Sequence, residues 1–326
     1  MNKPESRSSD SLLKLKDLSK TYRNITLDGF IPRQKQVRAL VSVSGSFDGG
    51  VLGLVGPNGA GKTTLIKIIA GLLHQSSGNL EVLGYDPWSE STRMKAEMGF
   101  LLEEPQYPPL SGRKYLKYIC EIRGFDGSSS EKETENLLDQ VGLSGAQNRK
   151  ISTYSAGMRR RLGLAVALVG LPRFVVLDEP TKSLDPDGRR LFMETVNQYY
   201  KEHNTSFLIS SHILADLERI CTNAWIISKG EIIAAGTMAE IGKIKRPTRF
   251  LVEVDKPEML YDYLQENGSL KEVTRDGHRL YIRGEEKTLF DLVSRGVHHH
   301  GLTMQRFEPA KGELERIMFG EGEGDD

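Results

Sequence analysis

Eight consecutive residues, Gly56-Pro57-Asn58-Gly59-Ala60-Gly61-Lys62-Thr63, carry the densest chemical information in the chain. They fit the phosphate-loop spacing GxxxxGK[ST], in which glycines let successive backbone N–H groups turn inward around an anion. The helix expected after them adds the positive end of its dipole. In this arrangement Lys62 reaches the β- and γ-phosphates of a nucleotide, Thr63 offers its hydroxyl to Mg²⁺, and Thr64 continues the binding segment. A second cluster, Asp178-Glu179, closes the apolar run 174–177. A carboxylate at the end of a buried parallel strand can stand beside the same ion. Asp178 would organise Mg²⁺ through its waters, and Glu179 would act as general base toward an attacking water. Alone, an acidic pair after a strand is as often a solvated turn. The phosphate loop upstream tips that balance.

With these motifs in place, residues 12–242 resemble the ATP-binding subunits of ABC transporters. Tyr154-Ser155-Ala156-Gly157-Met158 is similar to the LSGGQ signature, with Ser155 and Gly157 matching outright. The resemblance implies that this serine and glycine, with the helix start behind them, bind the γ-phosphate of ATP held by an opposing subunit. A hydroxyl, a glycine amide and a helix N-terminus are suited to an anion. Ser183-Leu184-Asp185 resembles the D-loop, which implies a place for Asp185 at the dimer interface beside the nucleotide. His212, following the run 207–210, matches the switch histidine that contacts the γ-phosphate. Tyr22, in Ser19-Lys20-Thr21-Tyr22, stands where the family has an aromatic stacked on adenine. The segment Met98-Gly99-Phe100-Leu101-Leu102-Glu103-Glu104-Pro105 resembles the Q-loop, with Glu103 where glutamine is usual. A carboxylate there can still ligate Mg²⁺ or hold the water, while adding negative charge near the γ-phosphate.

The resemblance implies an ATPase using ATP and Mg²⁺. It would dimerise head to tail, as a homodimer or with a paralogous subunit, and drive a separate membrane-spanning permease subunit. Its expected place is peripheral, on the cytoplasmic face of the cell membrane. The Tyr-Ser-x-Gly-Met wording and Glu313-Leu314-Glu315-Arg316-Ile317-Met318-Phe319 resemble bacterial exporter subunits.

Elements that could position these residues can be read around them. Residues 12–22 read as a strand, 23–36 as a loop, and 37–47 as a half-buried strand by alternation. The run 51–55 reads as a buried strand, 63–73 as a helix, and 110–149 as a mainly helical stretch broken by the Gly/Ser segment 124–130. A helix from Ala156, a strand at 174–177, a helix from Gly188 and a strand at 206–209 complete a strand–helix alternation. The expected fold is therefore α/β. The resemblance implies a P-loop NTPase of ABC type, with a parallel-sheet core, an antiparallel β subdomain and a helical insertion at about 105–165. In the family that insertion docks on the membrane subunit, and Tyr107, Leu110, Tyr115 and Tyr118 are candidates for the contact or for its core. A basic, proline-containing stretch at 243–248 marks a boundary, and 249–326 is expected to be a small α+β accessory domain. Its reading is strand 250–254, helix 258–265, hairpin 271–281 turned at Asp276-Gly277, helix 286–294, strand 302–307 and helix 312–319.

Composition limits the alternatives. The chain has 326 residues with 44 basic and 44 acidic side chains, so no whole-chain charge draws it toward nucleic acid. No apolar run reaches the ~18–20 residues of a membrane span, and the first ten residues lack the apolar core of a secretory signal. Cys120 and Cys221 are far apart in sequence, which fits a reducing compartment. His298-His299-His300 has no carboxylate or cysteine at ligand spacing, and Arg159-Arg160-Arg161 reads as a solvated helix face. The rival reading is a cytosolic ABC-type ATPase acting on nucleic acid or ribosomes. Such proteins tend to carry long coiled-coil insertions or two ATP-binding domains, and neither is visible. A third reading makes the last domain a sensor for a small effector.

Overall fold

The apolar runs 51–55 and 174–177 become strands of one six-stranded sheet, separated by a single strand, in the computed structural model, which describes residues 11–28, 31–102, 106–245, 249–267 and 273–309. The chain forms two units, Met1–Met238 and Ala239–Asp326. In order, the first contains β1 (Leu13–Asp28), β2 (Ile31–Phe47), β3 (Val51–Val55), α1 (Lys62–Ile69), β4 (Ser77–Val82), α2 (Ser91–Ala96) and β5 (Met98–Leu101). Three helices follow: α3 (Gly112–Ile122), α4 (Gly127–Gln140) and α5 (Ala156–Leu168). Then come β6 (Phe174–Leu177), α6 (Pro186–His203), β7 (Ser206–Ser211), α7 (Leu214–Leu217), β8 (Asn223–Ser228) and β9 (Glu231–Thr237). The helix α8 (Met238–Lys245) begins where this unit ends.

The large sheet has the order β5-β6-β7-β3-β8-β9, parallel from β5 to β8 with β9 antiparallel at its edge. Every residue of β3, β6 and β7 is buried, as expected where helices or a second layer cover both faces of a parallel sheet. The pairings Val55↔Ser211 and Leu177↔Ile209 bring the C-terminal ends of β3, β7 and β6 side by side. In open α/β sheets that edge is where ligands bind. A three-stranded antiparallel sheet, β2-β1-β4, contributes Leu13, Leu18, Leu40 and Val43 to a core shared with Leu52, Leu54 and Ile66.

Close approach explains one strand glycine. A Cβ on Gly99 in β5 would stand 1.8 Å from the Ala167 carbonyl oxygen of α5. Gly99→Ala is expected to cost about 1–3 kcal/mol by forcing helix and strand apart, read as a lowered thermal unfolding midpoint. An unchanged midpoint would contradict this packing.

Several expectations change. Residues 23–28 and 31–36, expected to form a loop, extend β1 and β2 and pair from Arg23↔Gln36 to Asp28↔Ile31. Backbone pairing needs no side-chain alternation, and Pro32 is tolerated because β2 is an edge strand. The Gly/Ser break ends earlier than expected. Asp126 accepts the Ser129 N–H at 3.0 Å and caps α4, so Gly127 onward is helix.

The arginine run is no solvated face. Arg160 is 8% exposed and donates to the Leu102 carbonyl at 2.9 Å. Arg159 donates to Tyr154 O at 2.6 Å, and Arg161 donates to Val141 O and Gly142 O at 3.0 and 2.9 Å. Each guanidinium satisfies carbonyls at the ends of neighbouring segments.

The tyrosines of the insertion divide. Tyr107 and Tyr115 pack edge to face with centroids 5.6 Å apart, and Tyr107 donates to Arg159 O at 2.8 Å. Burial raises the Tyr107 phenol well above its ordinary pKa, which keeps that donor proton in place. Tyr118, 54% exposed, faces outward. Both cysteines are buried thiols, Cys221 pushed up to about 12 by burial and Cys120 raised for the same reason.

The second unit contains β10 (Arg249–Val254), α9 (Pro257–Asn267), β11 (Val273–Asp276), β12 (Arg279–Arg283), α10 (Glu286–His300) and β13 (Met304–Pro309). Its sheet order is β11-β12-β10-β13 with all neighbours antiparallel, a split βαβ arrangement. Alternate residues Phe250, Val252 and Val254 meet Leu260 and Leu264 of α9 and Leu289 and Val293 of α10. The β11–β12 turn has Gly277 at φ +55°. The helix expected to stop at 294 runs on to His300, where Gly301 at φ +62° ends it. His299 and His300 lie against Tyr263, with centroids 5.7 Å away in each case. The helix expected at 312–319 falls outside the described residues.

Candidate functional site

The phosphate-loop segment leaves β3 at Val55 and must reverse direction before α1 begins at Lys62. Two of its glycines are there for space and conformation. A Cβ on Gly56 would stand 2.1 Å from the Ile227 carbonyl oxygen of β8. Gly61 has φ +109°, and a Cβ there would meet the Ala39 carbonyl at 2.6 Å. Between them the Ala60 N–H donates to Pro57 O at 3.2 Å, and Ala60 O accepts from the Gly230 N–H at 2.9 Å. No side chain caps the start of α1, so its first-turn N–H groups keep their capacity for an anion.

Lys62 is 6% exposed. Its Nζ donates to Gly56 O at 2.7 Å and Pro57 O at 3.1 Å, and lies 3.4 Å from Glu179 Oε1. An ammonium and a carboxylate this deeply placed need one another, since either alone would be an uncompensated buried charge.

The carboxylates come from the end of β6. Asp178 is 1% exposed, and its N–H donates to Leu101 O at 2.8 Å. Its Oδ1 accepts from Ser210 Oγ at 2.6 Å, while that same Oγ accepts from the Glu179 N–H at 2.8 Å. Ser210 thus fastens both acidic residues to β7. Sequence reasoning passed over it, although a serine directly after the apolar run 207–209 was the available signal. Glu179 takes φ +46°, a left-handed conformation costing about 1–3 kcal/mol for a non-glycine residue. Its Oε2 lies 3.0 Å from His212 Nδ1. A carboxylate only accepts, so Nδ1 is the donating nitrogen of that contact.

Asn58, Gly59, Gly61, Lys62, Thr63, Thr64, Glu179 and His212 line one cleft of about 500 Å³, together with Ala39 and Lys182. Tyr22 Oη lies 3.4 Å from Thr64 Oγ1, which places this aromatic beside the cleft-lining segment. The other expected residues form a second group. Ser155 caps α5, its Oγ accepting the Met158 N–H at 3.1 Å, and it is exposed. A Cβ on Gly157 would come within 3.3 Å of Ser183 O, so the start of α5 leans on the segment leading to Asp185. Asp185 caps α6, its Oδ1 accepting the Gly188 N–H at 2.8 Å. Ser155, Gly157 and Asp185 do not line the cleft of their own chain. Glu103 falls outside the described residues.

This arrangement can bind a polyanion through loop amides and lysine, and it holds a carboxylate and an imidazole where a bound water could be oriented. The available donors, the Thr63 hydroxyl and the Asp178 carboxylate, are hard oxygens of the kind Mg²⁺ takes.

The ABC transporter family profile matches residues 43–182. The uncharacterized ABC transporter ATP-binding protein YdbJ of Bacillus subtilis (strain 168) is 35% identical over 234 residues, spanning 72% of this chain and 74% of that protein. The linearmycin resistance ATP-binding protein LnrL of the same organism is 36% identical over 190 residues, 58% of this chain and 61% of its own. A solved bacterial ABC transporter cassette, titled as dimeric, shares the fold with a TM-score of 0.62 at 21% identity, covering 69% of this chain and 98% of that one. The chain belongs to the ATP-binding proteins of ABC transporters, and it is an ATPase.

Proposed function

We propose that two such chains, or one and a paralogous partner, close head to tail around two Mg-ATP and so power export through a separate membrane-spanning permease. The observation that carries this reading is the separation of two anion-ready groups on one chain. Lys62, Glu179 and His212 converge in the cleft, whereas Ser155, exposed, and Gly157, half-buried, stand at the start of α5 and outside the cleft's lining. A second subunit presenting its own Ser155 and Gly157 to the γ-phosphate would complete each site.

In this reading the loop from Gly56 to Gly61, with Pro57, Asn58, Gly59 and Ala60 between, wraps the phosphates. Lys62 leaves its loop carbonyls for the β- and γ-phosphates, and Thr64 extends the contact. Tyr22 stacks on adenine, and Asp185 crosses the interface. Thr63 and Asp178 would hold Mg²⁺, which neutralises charge on the phosphates when bound. Glu179 takes the proton of the attacking water, while His212 fixes the orientation of that carboxylate and reaches the γ-phosphate. Closure and reopening would reach the permease through α3 and its surroundings, where Tyr118 is exposed. The accessory domain is assigned to 249–326, after an ATPase domain of 12–242.

Export is supported by the likeness to a protein named for linearmycin resistance. No described helix is long and apolar enough to cross a membrane, and in this reading the transport path is built by another chain. The expected location is peripheral, on the cytoplasmic face of the membrane. Affinity capture of the full chain from detergent-solubilised membranes tests the reading. It should recover a protein with several apolar spans in stoichiometric amount. Recovery of ribosomes or nucleic acid instead would favour the rival cytosolic role.

A further inference from the structure

The buried end of β7 carries a hydroxyl that no motif assigns to the reaction. Phe207, Leu208 and Ile209 are fully buried, and Ser210 after them is also 0% exposed. A buried hydroxyl is costly unless it is hydrogen-bonded, and here it both donates and accepts. The Glu179 N–H can only donate, so at 2.8 Å it takes a lone pair of Ser210 Oγ, and the hydroxyl proton goes to Asp178 Oδ1 at 2.6 Å. The Asp178 carboxylate thereby orients the hydroxyl, and the hydroxyl holds the backbone of Glu179.

That backbone is strained. Glu179 stands at φ +46°, a conformation that persists in a non-glycine residue where its surroundings hold it. From it the side chain reaches the cleft, with Oε1 3.4 Å from Lys62 Nζ and Oε2 3.0 Å from His212 Nδ1. The residue is gripped at its N–H by Ser210 and at its carbonyl by the Lys182 N–H, which donates to Glu179 O at 3.2 Å. Ser211 O accepts the Gly56 N–H at 3.2 Å, so the phosphate loop starts from the same strand end. Residues 210–212 thus place the base, the loop and the imidazole relative to one another. We propose that Ser210 is a positioning residue for ATP hydrolysis that acts through Glu179, keeping its backbone in the conformation from which the carboxylate meets the attacking water. The inference rests on the proposed role of Glu179 as general base and adds the group that aims it.

The test is a double-mutant cycle on the full-length chain. Turnover is read as phosphate release in a single turnover, and affinity by calorimetry with the β,γ-imido analogue of ATP in Mg²⁺. Circular dichroism verifies that each variant is folded at the assay temperature. Ser210→Ala should lower turnover about 10–100-fold, the scale of a lost charge-assisted hydrogen bond and a misplaced catalytic group, and leave analogue affinity within about threefold. In the Glu179→Gln chain the same substitution should change turnover by less than about twofold, because the base it aims is already gone. Ser210→Thr keeps the hydroxyl on a side chain suited to a strand and should recover most of the rate. Wild-type turnover by Ser210→Ala, a Ser210→Thr chain equally slow, a fall in analogue affinity as large as the fall in turnover, or the full loss repeated in the Glu179→Gln chain overturns the inference. Slow turnover by Glu179→Gln alone would then leave the general-base reading standing. Wild-type turnover by Glu179→Gln would remove that reading and this inference with it.

Discussion

Lys62→Ala will reduce ATP turnover by at least about 10²–10³-fold, the usual cost of removing one preorganised group that meets transition-state charge. The effect should be large because the ammonium is held from three directions, by Gly56 O, Pro57 O and Glu179 Oε1. It is thus held at the loop before nucleotide arrives, and it exchanges the loop carbonyls for the phosphates when nucleotide binds. Alanine also leaves the Glu179 carboxylate, buried with 10% of its side chain exposed, without its cation. Lys62→Met serves as a companion variant, since it keeps the apolar stem and removes only the charge. Both should lose phosphate release while remaining folded by circular dichroism. Wild-type hydrolysis by either variant would remove the phosphate loop from the chemistry.

Glu179→Gln will lower hydrolysis by about 10²–10⁴-fold, the range for loss of a general base, while retaining ATP. The amide has nearly the shape of the carboxylate and can still meet His212 Nδ1, now 3.0 Å from Oε2. It cannot take a proton from water. The exchange also frees Lys62 from a competing anion, so ATP affinity should hold or rise. Nucleotide remaining intact on the variant through gel filtration is the expected readout. Rapid turnover by Glu179→Gln would mean that the base is elsewhere.

The strands that flank the candidate site were more legible than the rest of the architecture. Buried parallel strands advertise themselves, because β3 and β6 are covered on both faces and read as unbroken apolar runs ending beside Gly56 and Asp178. The phosphate loop could be found because the close approach of Gly56 to Ile227 O and the left-handed Gly61 leave few residue choices. The long β1–β2 ladder was hidden, since its outer part is held by backbone pairing along a polar stretch. The β8–β9 hairpin went unread for a related reason. Its turn places Lys229 and Gly230 both at positive φ, and lysine is not a residue that signals this.

Charged side chains misled in the opposite sense. Arg159, Arg160 and Arg161 look solvated in a linear reading, yet each reaches carbonyl oxygens brought near by tertiary structure. Ser210 is the corresponding omission at the site. Its importance depends on β7 lying beside β6, which sets one hydroxyl against both Asp178 and Glu179. Spacing within a single segment cannot express that neighbourhood.

The central claim is that the nucleotide site is completed by a second subunit, and molar mass measured by light scattering tests it most directly. The Glu179→Gln chain should scatter as a single chain without nucleotide and at twice that mass with Mg-ATP, and Ser155→Arg in the same chain should abolish the doubling. A Glu179→Gln chain that binds ATP and remains a monomer at micromolar concentration would contradict completion of the site by a second copy of this chain.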